Sequence, residues 1–116
     1  ETQIEGGPIA LEAALRRAAR LGDGYIGAGT APQEVAPLLG RLRALRAEYG
    51  RQNQPFEAML GIAAEPSAKL YGRLADDGLE STVSPPFQFA LGKKHSSLDE
   101  KKRFLEGFAE NIIRRV

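Results

Sequence analysis

The chain contains no cysteine. That excludes disulfides, thiolate metal sites and cysteine nucleophiles, and it fits a cytoplasmic location. His95 is the sole histidine, so neither a histidine-rich metal site nor a His-paired triad with spare partners is expected. No apolar run approaches the roughly 20 residues of a membrane span, and no signal peptide is visible at the start. Charge of one sign is scarce too: 16 Lys and Arg stand against 15 Asp and Glu, leaving a formal +1. A general nucleic-acid binder carries a clear basic excess. Neither nucleic acid nor a membrane is therefore an expected partner. The first residue is Glu1 rather than Met, which fits a processed chain or a fragment.

What remains is a soluble α/β pattern. The 116 residues suit one domain or part of one, with 42% hydrophobic residues for a core and 27% charged residues for a surface. At the start, Thr2 to Glu5 reads as either a short strand ending at Gly6-Gly7 or a frayed terminus. Pro8 suits the first position of the following helix. From Leu11 to Leu21, the residues Leu11, Ala14, Leu15, Ala18 and Leu21 recur at helical spacing, with Arg16, Arg17 and Arg20 opposite. Glu12 and Arg16 form a favourable i,i+4 pair, and Gly22 supplies a left-handed stop.

Gly24 to Ala28 is a short apolar run between glycines, the pattern of a parallel strand buried on both faces. Gly27-Ala28-Gly29-Thr30 follows. Thr30 and Gln33 match a capping box, with Pro32 in the first turn. The next helix, Ala31 to about Tyr49, carries the stripe Val35, Leu38, Leu39, Leu42, Leu45 and Tyr49. Pro37 predicts a bend in it. Phe56 to Ala63 is a strand, Glu65-Pro66-Ser67 opens a helix ending at Asp76-Asp77-Gly78, and Leu79 to Ser84 is a strand stopped by Pro85-Pro86. Phe87 to Ser97 is a loop. Ser97 and Glu100 form a second capping box for a last helix, with Leu98, Leu105, Phe108, Ala109, Ile112 and Ile113 facing inward.

Strands alternating with amphipathic helices predict parallel strands and right-handed crossovers. The fold class is thus α/β, with about three or four strands and about four helices, too few for a closed barrel of about 250 residues. The count matches half a barrel or a small open sheet.

Two features have competing chemical readings. Gly27, Gly29 and Thr30 make a strand-end, helix-start turn that serves either as an anion site or as plain cap chemistry. His95 beside Lys93 and Lys94 reads as a phosphate or proton-handling group, or as an exposed loop residue. Asp76-Asp77 reads as a helix end in preference to a metal site, and Phe87 and Phe89 as core-packing aromatics or a ligand cover. No nucleophile–base pair is evident, so catalytic residues stay unassigned.

The run Glu12-Ala13-Ala14-Leu15-Arg16-Arg17-Ala18-Ala19-Arg20-Leu21-Gly22-Asp23-Gly24-Tyr25-Ile26-Gly27 resembles the late-barrel segment of the luciferase-like monooxygenases. These are TIM-barrel oxidoreductases that use FMN or a deazaflavin coenzyme. The resemblance continues through Thr30-Ala31-Pro32-Gln33-Glu34-Val35, Tyr49-Gly50-Arg51, Pro55-Phe56-Glu57, Leu74-Ala75-Asp76-Asp77-Gly78-Leu79 and Phe108-Ala109-Glu110-Asn111-Ile112-Ile113. It implies the C-terminal half of a barrel, residues 1–116 forming one unit. It also implies a flavin phosphate near Gly6-Gly7, although Leu11 stands where the family has serine; Gly7-Pro8-Ile9 offers a second alignment with the start of that strand. The implied cofactor-binding set is Gly6, Gly7, Gly27, Gly29 and Thr30, with a small-molecule substrate and no metal. A half-barrel leaves edge strands open, so the expected partner is another copy of the chain or the missing N-terminal half. The alternative is a non-catalytic half-barrel remnant or interaction module that self-associates.

Overall fold

Three parallel strands lie side by side in chain order, β1 (Gly24–Thr30), β2 (Glu57–Ile62) and β3 (Ser81–Thr82). Helices α1 (Gln3–Leu21), α2 (Pro32–Glu48) and α3 (Ala68–Asp76) alternate with them, followed by α4 (Phe87–Ala90), α5 (Leu98–Asn111) and a 3-10 turn, Ile113–Arg115. The computed structural model describes residues 3–83 and 87–116. Thr2, Ser84, Pro85 and Pro86, which the expected first strand, third strand and proline stop include, lie outside the described residues.

The core forms where the helices' apolar stripes meet one face of the sheet. Val35 and Leu39 of α2 meet Leu60 of β2, Leu74 of α3 and Leu79. Leu15 and Ala19 of α1 meet Leu42 and Leu45 of α2. Tyr25 and Ala58, paired across β1 and β2, pack against both clusters. Burial raises the pKa of the Tyr25 phenol, since the anion would lose its water. Charged residues brace the α1–α2 seam from outside. Glu12 accepts from Arg41 at 2.6 Å and pairs with Arg16 at 3.0 Å, while Arg16 reaches Glu48 at 3.0 Å. Hydrogen bonds and charge from the arginines hold the Glu12 carboxyl below its ordinary range.

Several expectations are corrected. Gln3–Glu5 belongs to α1, not to a strand, and Pro8 sits inside that helix. A helix is the better local solution because the chain there has no neighbouring strand to satisfy its backbone groups. Among the described residues, the helices cover one face of the sheet. Ile26 is 78% exposed and Val83 48% exposed, so the apolar run at β1 is not buried on both sides. Leu11 and Leu21 are exposed too, because α1 turns Leu15 and Ala19 towards α2. α2 begins at Pro32, and its N-cap is Ala31 rather than Thr30. Ala31 has no side-chain acceptor, so only half a capping box exists: its N–H donates to the Glu34 carboxylate at 3.2 Å. β3 is two residues long, and the expected loop after it contains α4. Leu98 and Leu105 on α5 and Ile113 in the turn after it face solvent; Phe108 packs inward as expected, joined by Phe104.

The molecule is also extended. Its radius of gyration is 16.1 Å, against about 13 Å for a compact domain of this length. No described helix is long and apolar enough to cross a membrane.

Candidate functional site

The C-terminal ends of the strands hold the features most suited to a ligand. β1 ends in a bulge. Gly27 pairs with Leu60 and Thr30 with Ile62, so β1 carries one more residue than β2 across that interval. Gly29 absorbs the excess with φ +67°, a conformation that costs other residues about 1–2 kcal/mol. The slip reverses the side-chain alternation. Without it Thr30 would join Ile26 and Ala28 on the bare face. With it, Thr30 lies opposite Ile62 and is 8% exposed. The Thr30 carbonyl accepts from the Ala63 N–H at 2.8 Å, tying the bulge to the loop after β2.

Gly24 shows the opposite constraint at the start of β1. A Cβ there would lie 2.6 Å from the Glu57 carbonyl oxygen, so the close approach of β1 to β2 requires glycine.

Gly6 and Gly7 lie in the first turns of α1. Only Gly22 and Asp23 separate α1 from β1, so the helix runs back along the strand and its N-terminus lies at the end where β1 finishes. Gly27, Gly29 and Thr30 are continuous on β1; Gly6 and Gly7 are on the helix. Each helix start has a feature that opposes an anion. The α2 start has proline at its first position and the Glu34 carboxylate in its first turn. In α1, Glu5 directly precedes Gly6 and Gly7.

Next to the β2–α3 loop is a cavity of about 670 Å³, lined by Glu65 and Pro66 from the loop and by Arg103, Phe104, Phe108 and Asn111 from α5. The loop is fixed by Ser67, whose hydroxyl accepts from the Leu70 N–H at 3.0 Å and caps α3. Aromatic contacts hold the far wall. Tyr71 and Phe108 ring centres are 6.4 Å apart, Phe104 and Phe108 5.7 Å, and Phe87 meets Phe104 edge-on at 5.9 Å. Burial raises the Tyr71 pKa. Phe87 thus packs against α5, as a core-type aromatic does; the Phe89 side chain lies outside the described ones. Phe104 and Phe108 are the wall residues that helical periodicity in α5 signals, four apart on one face.

The remaining candidates are dispersed. His95 is exposed in the loop between α4 and α5. Its neighbour Lys93 is engaged with Glu100. That ammonium, together with the Ser97 N–H, pulls the Glu100 carboxyl down to about 2. Asp76 closes α3 and Asp77 caps it. Among the described residues no group of three or more His, Asp or Glu side chains is placed to hold a metal ion.

A smaller cavity of about 200 Å³ lies at the opposite end, between α2, Phe56 and Glu80. The Arg46 guanidinium stacks 4.6 Å above the Phe56 ring and donates to the Arg51 and Gln54 carbonyls. Its Nε is buried with no partner. This cluster closes the α2–β2 turn.

The chain is 37% identical over 106 residues to uncharacterised proteins of Mycobacterium bovis and Mycobacterium tuberculosis. The match covers 90% of this chain and 36% of each relative, so the chain spans about a third of the length of the curated relatives it matches. No family model matches the chain, and no solved structure does.

Proposed function

We propose that the chain is the C-terminal arc, about half, of a β/α barrel belonging to a luciferase-like oxidoreductase that uses FMN or a deazaflavin. The single observation that carries the arc is the arrangement of the sheet. Successive parallel strands are added in one direction, β1-β2-β3, and the helices of the described core lie on one face. A doubly wound sheet reverses direction and takes helices on both faces; a barrel does neither. The bare face carries Ile26 and Ala28 with Glu57, Met59, Gly61, Ser81 and Val83, largely apolar beyond the Glu57–Ser81 pair, as a barrel interior would be.

The sequence resemblance supplies the redox reading. In that reading Gly6 and Gly7 of α1 and Gly27, Gly29 and Thr30 at the end of β1 are the positions that would hold the cofactor's phosphate. The cofactor would supply the hydride or oxygen chemistry, and the chain would hold and orient it. The 670 Å³ cavity beside Glu65 and Arg103 is the place for a small-molecule substrate. A second reading, a non-catalytic segment that works by association, is favoured by the exposed Leu98 and Leu105 on α5 and Ile113 in the turn after it.

Fluorescence titration of the purified chain with FMN and with a deazaflavin, its mass followed by light scattering, separates the readings. Saturable binding that weakens on Gly7→Glu, which places a carboxylate in the first turns of α1, supports the oxidoreductase. A folded chain that binds neither flavin, alone or joined to the rest of a full-length relative, contradicts it and leaves the association module.

A further inference from the structure

The cavity of about 670 Å³ beside the β2–α3 loop differs in charge between its two ends. α5 supplies one long wall. Arg103 and Phe104, then Gly107 and Phe108, then Asn111 line it at intervals of about one helical turn. At the rise of an α-helix, Arg103 and Asn111 are about 12 Å apart along the axis. The ring contacts orient this wall. Phe104 meets Phe87 of α4, whereas Phe108 meets Tyr71 of α3. Ala90, which closes α4, therefore lines the Arg103 end, and Glu65, just ahead of α3, lines the Asn111 end.

The polar groups at the two ends are unlike. Arg103 is exposed, and its Nε donates to the Asp99 carbonyl at 3.4 Å. Among the described residues its guanidinium forms no ion pair. The Lys101 ammonium, 5.7 Å from the centre of the Phe87 ring, adds positive charge on the α4 side. At the other end Glu65 is exposed too, and it pairs with no cation among the described residues. Its carboxylate only accepts hydrogen bonds, while the Asn111 amide both accepts and donates. Between the ends the wall is aromatic, and Gly107 adds no side chain to it.

We propose that this cavity takes an elongated amphoteric molecule, with a carboxylate at one end, an ammonium group at the other and a flat aromatic body between. The Arg103 guanidinium holds both oxygens of the carboxylate. The body lies on Phe104 and Phe108. The ammonium donates to Glu65 and to the Asn111 amide oxygen. This names the substrate class of the cavity and so rests on the reading of it as the substrate site, but on neither the flavin nor a closed barrel. Other charge patterns fit less well. A dianion brings its second charge against Glu65, and a dication against Arg103. An α-amino acid carries both charges on one carbon and cannot span about 12 Å.

The test titrates the chain, without flavin, with three rigid probes followed by NMR. One is a biphenyl bearing a carboxylate at one para position and an aminomethyl group at the far one. The others are its two singly charged parents, the acid and the amine. The doubly charged probe is expected to bind saturably, about tenfold tighter than either parent, with shifts at Phe104, Gly107 and Phe108. Nuclear Overhauser effects should run from its carboxylate ring to Arg103 and from its aminomethyl group to Glu65 or Asn111. Arg103→Gln should weaken the two carboxylate probes about tenfold and spare the amine. Glu65→Gln should weaken the two amine probes and spare the acid. Glu106→Gln, on α5 outside the cavity wall, should change none of them. The orientation is read on the unaltered chain, so it decides even where a variant misfolds. A reversed orientation, or a folded chain that binds none of the probes, overturns the proposal. A parent that binds in the cavity as tightly as the doubly charged probe overturns the amphoteric class and keeps the cavity as a substrate site. No titration contains flavin, so the cofactor reading fails separately.

Discussion

At the residue scale, Gly29 decides which way Thr30 points. Its φ of +67° is the left-handed region, and there is free space around a built Cβ, so backbone strain alone governs a substitution. Gly29→Ala is expected to lower stability by about 1–2 kcal/mol, measured by urea unfolding. Asparagine, which tolerates the left-handed region better, should recover part of the loss. Leu60 sits at 0% exposure among Val35, Leu39, Leu74 and Leu79. Leu60→Ala is expected to cost about 2–5 kcal/mol, whereas Leu105→Ala on the solvent side of α5 should stay within about 0.5 kcal/mol. The Gly-x-Gly-Thr sequence announced a strand end, but not the bulge. A bulge depends on the count of residues in the partner strand, and that count is not local.

At the scale of elements, α5 is the least secured. It has no fully buried residue, and aromatic contacts to Tyr71 and Phe87 anchor it. Its first turn depends on Ser97, whose hydroxyl accepts from the Glu100 N–H at 3.1 Å while the Glu100 carboxylate accepts from the Ser97 N–H at 2.8 Å. The folded Glu100 carboxyl titrates near 2, below the ordinary 4.5. A depressed folded value stabilises the fold above the ordinary pKa and stops doing so as pH falls through the folded one. The α5 amide shifts should therefore move as pH drops from 4.5 towards 2, read by NMR, and Glu100→Gln should flatten that response. Ser97→Ala should fray the same turn at neutral pH, by about 1 kcal/mol.

Element types were legible for the same physical reason that α5's cap was: caps and periodicity act within a few residues. The capping box at Ser97 and Glu100, the α2 stripe and the strand at β2 all follow from local pattern. The α1 stripe was legible as apolar, but its occupancy was not. Periodicity reports which residues prefer burial, and Leu11 and Leu21 have that preference without a neighbour to satisfy it. The apolar run at Gly24–Ala28 misled in the same way, since it describes a strand suited to burial on both faces while Ile26 faces solvent. The first turns of α1 were missed because two glycines and a proline disfavour a helix on propensity alone. The cavity wall joins the β2–α3 loop to α5, far apart in the chain, and no local signal links them.

At the scale of the whole molecule, sheet order, one-sided helices and the open edge of β1 agree with one another. Each is what the proposed barrel arc would show: strands added in one direction, a largely apolar uncovered face and, among the described residues, an edge of β1 without a partner strand. The most direct measurement is an experimental structure of the full-length M. tuberculosis relative. The account predicts that its counterparts of β1, β2 and β3 are consecutive staves of a closed barrel. A parallel strand should lie on the outer edge of β1, with the counterpart of Ile26 inside. An open sheet with helices packed on the Ile26 face, or with the edge of β1 left in solvent, would contradict it.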